Sequence, residues 1–139
     1  MLKRYKTNRF WNINANIVLA DLVSTVGTAL IIDAVRIRLP TKLTIVAVTA
    51  LVDGTLSLTL FAILHSFANR SRGIGDLVRV QIHRWVLSPL HYLIGATLQL
   101  VLLTAGVRAG ITVVVAYVTS MVLVRTIHSL YGMRTGLFR

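Results

Sequence analysis

The chain of 139 residues is 55% apolar and only 14% charged, with a mean hydropathy of +0.76. A soluble domain carries about a quarter charged residues, and a chain this short has too much surface per volume to hide so many apolar side chains from water. The composition therefore excludes an ordinary soluble domain and predicts a protein surrounded by lipid. The sequence has no cysteine, which excludes disulfides, thiolate metal sites and a cysteine nucleophile.

The chain is strongly basic, with 15 Lys and Arg against four acidic residues and a net charge of +11. Such a balance raises the question of nucleic-acid binding. Here the basic residues lie between apolar runs, where membrane topology accounts for them. We therefore expect no nucleic-acid partner.

Four apolar segments are long enough to cross a bilayer, since about 20 apolar residues span roughly 30 Å of hydrocarbon. In chain order they cover residues 13–35, 43–67, 85–104 and 110–130. The connections within the first and second pair of segments are short, which favours two antiparallel hairpins. The predicted fold is an all-α membrane protein with one four-helix transmembrane domain over residues 1–139.

The distribution of positive charge predicts the orientation. Eleven of the 15 Lys and Arg residues lie in the N-terminal tail, the central connection and the C-terminal end, and four lie on the other side. Positively charged loops stay in the cytoplasm, so we expect both termini there and a location in the cytoplasmic (inner) membrane.

Two short similarities connect the predicted hairpins. The sequence LHSF at 64–67 matches IHSL at 127–130, and Arg9-Phe10 matches Arg84-Trp85 at the start of the first and third spans. Two parallel repeats related by an axis along the membrane normal produce this kind of pattern.

Two carboxylates lie deep in the predicted spans. Asp21 shares a helix face with Thr25 and Thr28, and Asp53 shares one with Thr49 and Ser57, in steps of three or four residues. A charge at this depth costs several kcal/mol unless it faces protein or water, pairs, or takes up a proton. The sequence therefore predicts a polar pathway through the bundle, formed by Asp21, Thr25, Asp53, Ser57, Tyr92 and Gln99. The structural alternative is that these groups only bond neighbouring helices.

Arg, His and aromatic residues collect at the predicted cytoplasmic ends of the spans. A ring of such residues anchors any span at the headgroup level. It also provides bidentate donors for a lipid phosphate. Both interpretations stay open at this stage.

The sequence contains no pattern typical of an enzyme or a cofactor site. A P-loop, a GxSxG and an HExxH are all absent, and the four histidines do not form a haem or metal motif. We expect neither a catalytic residue nor a metal nor a cofactor.

Several short motifs resemble those of the GtrA-like family of small four-span proteins. They are an Arg-Phe pair before the first span with an Asp inside it, an Asn-Arg motif after the second span, an Arg-aromatic pair at the third, and a spaced Arg and aromatic after the fourth. In this sequence they are Arg9-Phe10 with Asp21, Ser66-Phe67-Ala68-Asn69-Arg70, Arg84-Trp85 with Tyr92 and Gln99, and Ser129-Leu130 with Arg134 and Phe138. The sequence departs from the family pattern at 14–15, 71–74 and Ser129.

The resemblance implies a function in translocating a polyprenyl-phosphate-linked sugar, or in assisting the membrane glycosyltransferase that makes or uses it. The product would serve cell-envelope polysaccharide modification. The lipid phosphate would then be held by Arg9, Asn69, Arg70, Arg84 and Arg134. The expected partners are the sugar lipid and the glycosyltransferase, in a homodimer or a hetero-complex.

Two other functions fit four short spans. One is a small proton-coupled exporter of cations acting as a dimer, and the other is a structural subunit of a larger membrane complex. For the phosphate-handling function, ionised Asp would repel the ligand, so we expect at least one of Asp21 and Asp53 to be protonated or paired with Arg.

Overall fold

A computed structural model of the protein describes residues 8–69 and 73–136, and within these ranges it is helical without a strand. The helices are α1 (Arg9–Val35), α2 (Lys42–Ala68), α3 (Gly73–Thr104) and α4 (Ala109–Arg134), with a 3-10 turn at Arg36–Arg38 after α1. All four are long and apolar enough to cross a membrane, with mean hydropathies of 1.7–1.9 in their best windows. The predicted all-α fold with four candidate spans is confirmed.

Helix α3 begins earlier than the predicted third span. The helix starts at Gly73, whereas the hydropathy pattern places the span at 85–104. The added turns contain Asp76, whose carboxylate is bonded to Arg9 of α1 inside the bundle. The charge of Asp76 lowers the mean hydropathy of this segment. Arg9 compensates that charge, and the segment is helical. Pro89 lies inside α3.

Asp33 near the end of α1 caps the start of α4. The backbone N–H of Gly110 donates to Asp33 Oδ1 at 2.8 Å, and Arg108 Nη2 lies 2.7 Å from Asp33 Oδ2. A carboxylate at a helix N-terminus satisfies a free N–H and interacts favourably with the helix dipole. This contact joins the ends of α1 and α4 where the chain turns between α3 and α4.

The helices form a ring in which α1 packs on α2 and α4, and α3 packs closely on α4 but less closely on α2. Their outward faces carry large exposed apolar side chains, as a lipid-facing surface requires. The inward face of α2 is mostly polar. Its five buried residues follow one another at intervals of four residues, and four of them are polar. They are Thr49, Asp53, Ser57, Phe61 and His65.

Apolar packing holds the two ends of this polar interior. One cluster contains Ala29, Ile32, Leu103, Ala109, Val113, Ala116 and Tyr117; the other contains Ile13, Ile17, Ala20, Phe61 and Val80. The first lies beside the Asp33 cap and the second near the start of α1. The polar residues lie between and beside these clusters.

We expect Gly110→Ala to lower the free energy of unfolding by about 1 to 2 kcal/mol. A Cβ at this position would lie 2.7 Å from the Asp33 carboxyl group and 3.0 Å from the Ala29 carbonyl oxygen, so the cap must shift. Thermal unfolding of the detergent-solubilised protein measures the effect. Gly27→Ala is the matched control, because its Cβ meets only Leu56 Cδ1 at an ordinary 3.5 Å. Equal stability of the two variants would show that the cap contributes nothing.

Candidate functional site

A set of polar side chains, here called the polar seam, lies in the interior of the bundle and is interrupted at the level of Phe61 by the second apolar cluster. It consists of Arg9, Asn12, Asn16, Asp21, Ser24, Thr25, Thr49, Asp53, Ser57, His65, Asn69, Asp76, Arg84, His91 and Gln99. Along α2 the seam extends from Thr49 to Asn69, about 30 Å at a rise of about 1.5 Å per residue. This length equals the hydrocarbon thickness of a bilayer.

The layer nearest the start of α1 joins three helices. Arg9 Nη2 donates to Asp76 Oδ1, and His65 Nε2 lies 3.1 Å from Asp76 Oδ2. Beside them, Asn69 Nδ2 donates to Asn12 Oδ1 at 2.8 Å. Charged and amide groups therefore connect the beginning of α1 to the end of α2 and the beginning of α3.

The next layer is centred on Asp21. Its Oδ1 accepts from Ser57 Oγ of α2 and from Arg84 Nη2 of α3, the latter at 2.9 Å, while Arg84 Nη2 also lies 2.7 Å from Ser57 Oγ. The guanidinium group stacks over the Phe61 ring at 4.5 Å from its centroid. Both charged side chains are largely buried, at 15% and 10% exposure for Asp21 and Arg84. The expectation that a deep carboxylate is paired with Arg is confirmed at Asp21.

Asp53 occupies the following layer, beside hydroxyl groups and an imidazole ring. Ser24 Oγ donates to Asp53 Oδ1 at 3.0 Å and Thr25 Oγ1 at 3.4 Å, while His91 Nε2 lies 4.0 Å from Oδ2. The other ring nitrogen of His91 lies 3.0 Å from Ser120 Oγ. This layer connects α1, α2, α3 and α4 through groups able to donate and accept protons.

Beyond Asp53 the seam ends in uncharged groups, some of which have no partner among the described residues. Gln99 Nε2 donates to Thr49 Oγ1 at 2.9 Å, but the buried Oε1 of Gln99 has no hydrogen-bond partner there. The same holds for Thr28 Oγ1 and the Tyr117 hydroxyl group. Buried polar groups are normally satisfied, so these atoms can each bond one further polar group.

A cavity of about 40 Å³ opens beside the Asp21 layer. Its polar lining comes from all four helices and consists of Asp21, Ser57, Arg84, Ser88, His91, Tyr92 and Arg125. In the part of the chain that the structure describes, the buried Nε and Nη1 atoms of Arg125 have no hydrogen-bond partner.

An apolar groove runs along the outside of α2 and α3, where these helices pack least closely. Two adjoining hollows of about 570 and 490 Å³ share Ala62, Ile63 and Leu77 as lining residues. One end of the groove is bordered by His65 and Asn69 of the polar seam. We refer to it as the outer groove.

The structure brings the six predicted pathway residues together. Asp21 bonds Ser57, Thr25 bonds Asp53, and Gln99 bonds Thr49 in successive layers. Tyr92 lies beside them, with its hydroxyl oxygen 3.0 Å from where a Cβ on Gly54 would be. The two stripes read from the sequence therefore face each other in the interior.

The five predicted phosphate-binding residues do not form one cluster. Arg84 lies deep, beside Asp21, whereas Arg9 and Asn69 lie in the layer nearest the start of α1. Arg134 is exposed in the last turn of α4, and Arg70 lies outside the described residues. Their proposed binding role stays a prediction.

Three contributors to the site were not among the predicted site residues. Asp76 falls in the charged segment between the second and third predicted spans, His91 lies on a mostly apolar stretch, and Arg125 lies near the end of the fourth predicted span. A signal for Arg125 does exist in the sequence, since it lies eight residues after Tyr117 and four after Met121 on the buried face of α4.

Among residues 8–69 and 73–136, no group of three His, Cys, Asp or Glu side chains is arranged to hold a metal ion. The fold and site define a four-helix membrane-type bundle with a polar interior. No family model, curated protein or solved structure matches the chain. The resemblance to the GtrA-like family therefore stays a prediction.

We expect Arg84→Met to lower the free energy of unfolding by about 3 kcal/mol, because it leaves the buried Asp21 carboxylate uncompensated. The double variant with Asp21→Asn is expected to recover most of that loss. A double-mutant cycle measured by thermal unfolding in detergent gives the coupling. Simple addition of the two single effects would mean that the pair is not coupled.

Proposed function

We propose that this protein carries the headgroup of a polyprenyl-phosphate-linked sugar across the membrane, alone or as the accessory subunit of a membrane glycosyltransferase in cell-envelope polysaccharide modification. The observation that carries the proposal is the polar seam, which extends about 30 Å inside a bundle whose outer faces are apolar. A seam of that length offers polar contacts on both sides of the Phe61 level, at depths where lipid offers none.

The chemistry of the seam suits a ligand with both charge and hydroxyl groups. Arg84 and Arg125 provide charged donors, while Gln99, Thr28 and Tyr117 provide buried polar atoms without partners among the described residues. A phosphate is matched by the guanidinium groups, and sugar hydroxyls are matched by the neutral groups. The hydrocarbon chain of the lipid would lie in the outer groove, between α2 and α3.

The proposal includes the arrangement in the membrane. The helices form two antiparallel hairpins, related as parallel repeats, with both termini in the cytoplasm and the bundle in the inner membrane. The contacts support antiparallel pairing, since Asn12, Asp21 and Ser24 of α1 meet Asn69, Ser57 and Asp53 of α2 in reverse order. The orientation follows from the excess of Lys and Arg on one side.

Single cysteines test this orientation in a chain that has none of its own. Gly75→Cys, at an exposed position at the start of α3, is expected to react with a membrane-impermeant maleimide only from the cytoplasmic face. Ala105→Cys, exposed after α3, is expected to react only from the opposite face. Labelling of inside-out and right-side-out vesicles, with the cysteine-free chain as blank, measures this. The reverse pattern would overturn the proposed topology.

A partner is part of the proposal. The interior cavity of about 40 Å³ is too small for a sugar, since a single water needs about 10–15 Å³ of such space. The bundle must therefore open, and α2 and α3 are the neighbours that pack least closely. A second copy of the chain or a membrane glycosyltransferase would supply the additional wall.

Translocation is tested in proteoliposomes with a fluorescent short-chain polyprenyl phosphate sugar, read by chemical quenching of the outer leaflet. We expect Gln99→Leu to slow translocation about five- to tenfold, the effect of losing about 1 to 1.4 kcal/mol of hydrogen bonding. The matched control is Thr97→Val on the exposed face of α3, where the hydroxyl only bonds the Leu93 carbonyl oxygen. Thermal unfolding verifies that both variants are folded.

Other outcomes favour the alternative functions. Wild-type vesicles that do not translocate the sugar lipid, but exchange protons for an organic cation in a manner lost with Asp21→Asn, would favour the exporter. Vesicles that do neither, and a chain that elutes only with a larger complex, would favour the structural subunit. Either result would overturn translocation by this chain.

A further inference from the structure

Arg125 is a half-buried cation of α4 that forms no salt bridge among the described residues. Asp21 is paired with Arg84, Asp76 with Arg9, and Asp33 with Arg108. Within the described ranges no carboxylate lies at salt-bridge distance from Arg125, and its buried Nε and Nη1 have no hydrogen-bond partner. Charged N–H groups without partners raise the free energy of the folded bundle, because no water compensates them in a membrane-type interior.

The surroundings of Arg125 define what would satisfy it. It lines the cavity together with Arg84, Ser57 and Tyr92, and Asp21 is the carboxylate in that lining. Two guanidinium groups against one carboxylate leave an excess positive charge, so the cavity suits an anion. The donors come from three different helices, α2, α3 and α4.

The size and donor geometry narrow the choice of anion. About 40 Å³ admits a group of a few heavy atoms but nothing larger. A carboxylate offers two oxygens in one plane, whereas a phosphoryl group offers three oxygens pointing in different directions. Guanidinium forks bind such oxygens in pairs, and donors on three helices match the second shape.

The existing contacts of Asp21 indicate how the anion is accommodated. Its Oδ1 atom already receives the bonds from Ser57 and Arg84 that an incoming oxyanion would use. Asp21 therefore stands beside the cavity as its internal anion. An entering group that bonds Arg125 completes its coordination at Arg84 and Ser57 by displacing the carboxylate.

We propose that Arg125 and Arg84 form an internal binding site for a phosphate group, with Asp21 as the anion that the ligand exchanges with. This site would serve the proposed function, and it depends on that function only for the identity of the compound that carries the phosphate. The phosphate belongs to a lipid or to a free anion, and the experiment below separates these sources.

Ligand-induced stabilisation of the full chain in detergent tests the site. The probes are a short-chain isoprenoid phosphate, the corresponding alcohol, and inorganic phosphate. We expect the isoprenoid phosphate to raise the unfolding temperature and the alcohol to have no effect. If inorganic phosphate also raises the unfolding temperature, a free anion is sufficient to occupy the site. If only the isoprenoid phosphate raises it, the ligand is a lipid phosphate.

Arg125→Met is expected to weaken binding of the phosphate probe at least about tenfold. Without ligand it is expected to unfold at the same or a higher temperature than wild type, because it removes a charged group whose buried Nε and Nη1 atoms have no partner among the described residues. Arg125→Lys, which keeps the charge but not the planar fork, is expected to bind with intermediate strength. The control is Arg79→Gln, an exposed arginine bonded to the Gly136 carbonyl oxygen.

Two results would overturn the site. One is unchanged phosphate binding in Arg125→Met; the other is a lower unfolding temperature of ligand-free Arg125→Met, which would indicate a structural role. A different result would overturn the proposed function alone, namely protein that binds phosphate through Arg125 but does not translocate the sugar lipid in vesicles. Translocation with Arg125-independent phosphate binding would preserve the function and reject the site.

Discussion

The structure depends on one constraint, which is that polar groups in a lipid-surrounded bundle must find their partners inside it. The four helices meet this constraint by turning their polar stripes inward, so that apolar side chains cover the outside. Helix α2 is the clearest case, because its buried positions are polar at Thr49, Asp53, Ser57 and His65. Hydrogen bonds between these stripes join α1, α2 and α3, together with the apolar cluster that contains Ile17, Phe61 and Val80. Apolar clusters complete the packing on either side.

The charges follow the same constraint, layer by layer. Three of the four aspartates have an arginine partner on another helix or at its start, at Asp21, Asp33 and Asp76. Asp53 is instead surrounded by hydroxyl groups and His91. The charged pairs therefore lie at one end of the seam, beside its centre, and outside the seam at the Asp33 cap. Arg125 departs from this arrangement, because no carboxylate among the described residues lies at salt-bridge distance from it.

Much of this arrangement could be predicted from spacing alone. The four apolar segments and the inward stripes with Asp21 and Asp53 follow from hydropathy and helical periodicity, which are local properties. The depth of Arg84 could not be predicted in this way. A hydropathy window treats an arginine as the edge of a span, whereas Asp21 and Ser57 compensate it from other helices. Asp76 was missed for the same reason, since its partner Arg9 is distant in sequence.

The pairing of Arg84 with Asp21 also limits what the seam can transport under the proposed function. A neutral polar ligand cannot replace Asp21 at Arg84, because it would separate two buried charges without compensating either one. A phosphate ligand can, since it brings its own negative charge to Arg84 and Arg125 as the carboxylate withdraws. The small cavity further requires that a sugar enter only after the bundle has opened. Displacement of Asp21 removes bonds that hold α1 to α2 and α3, so anion binding and opening of the bundle would be coupled through the same carboxylate.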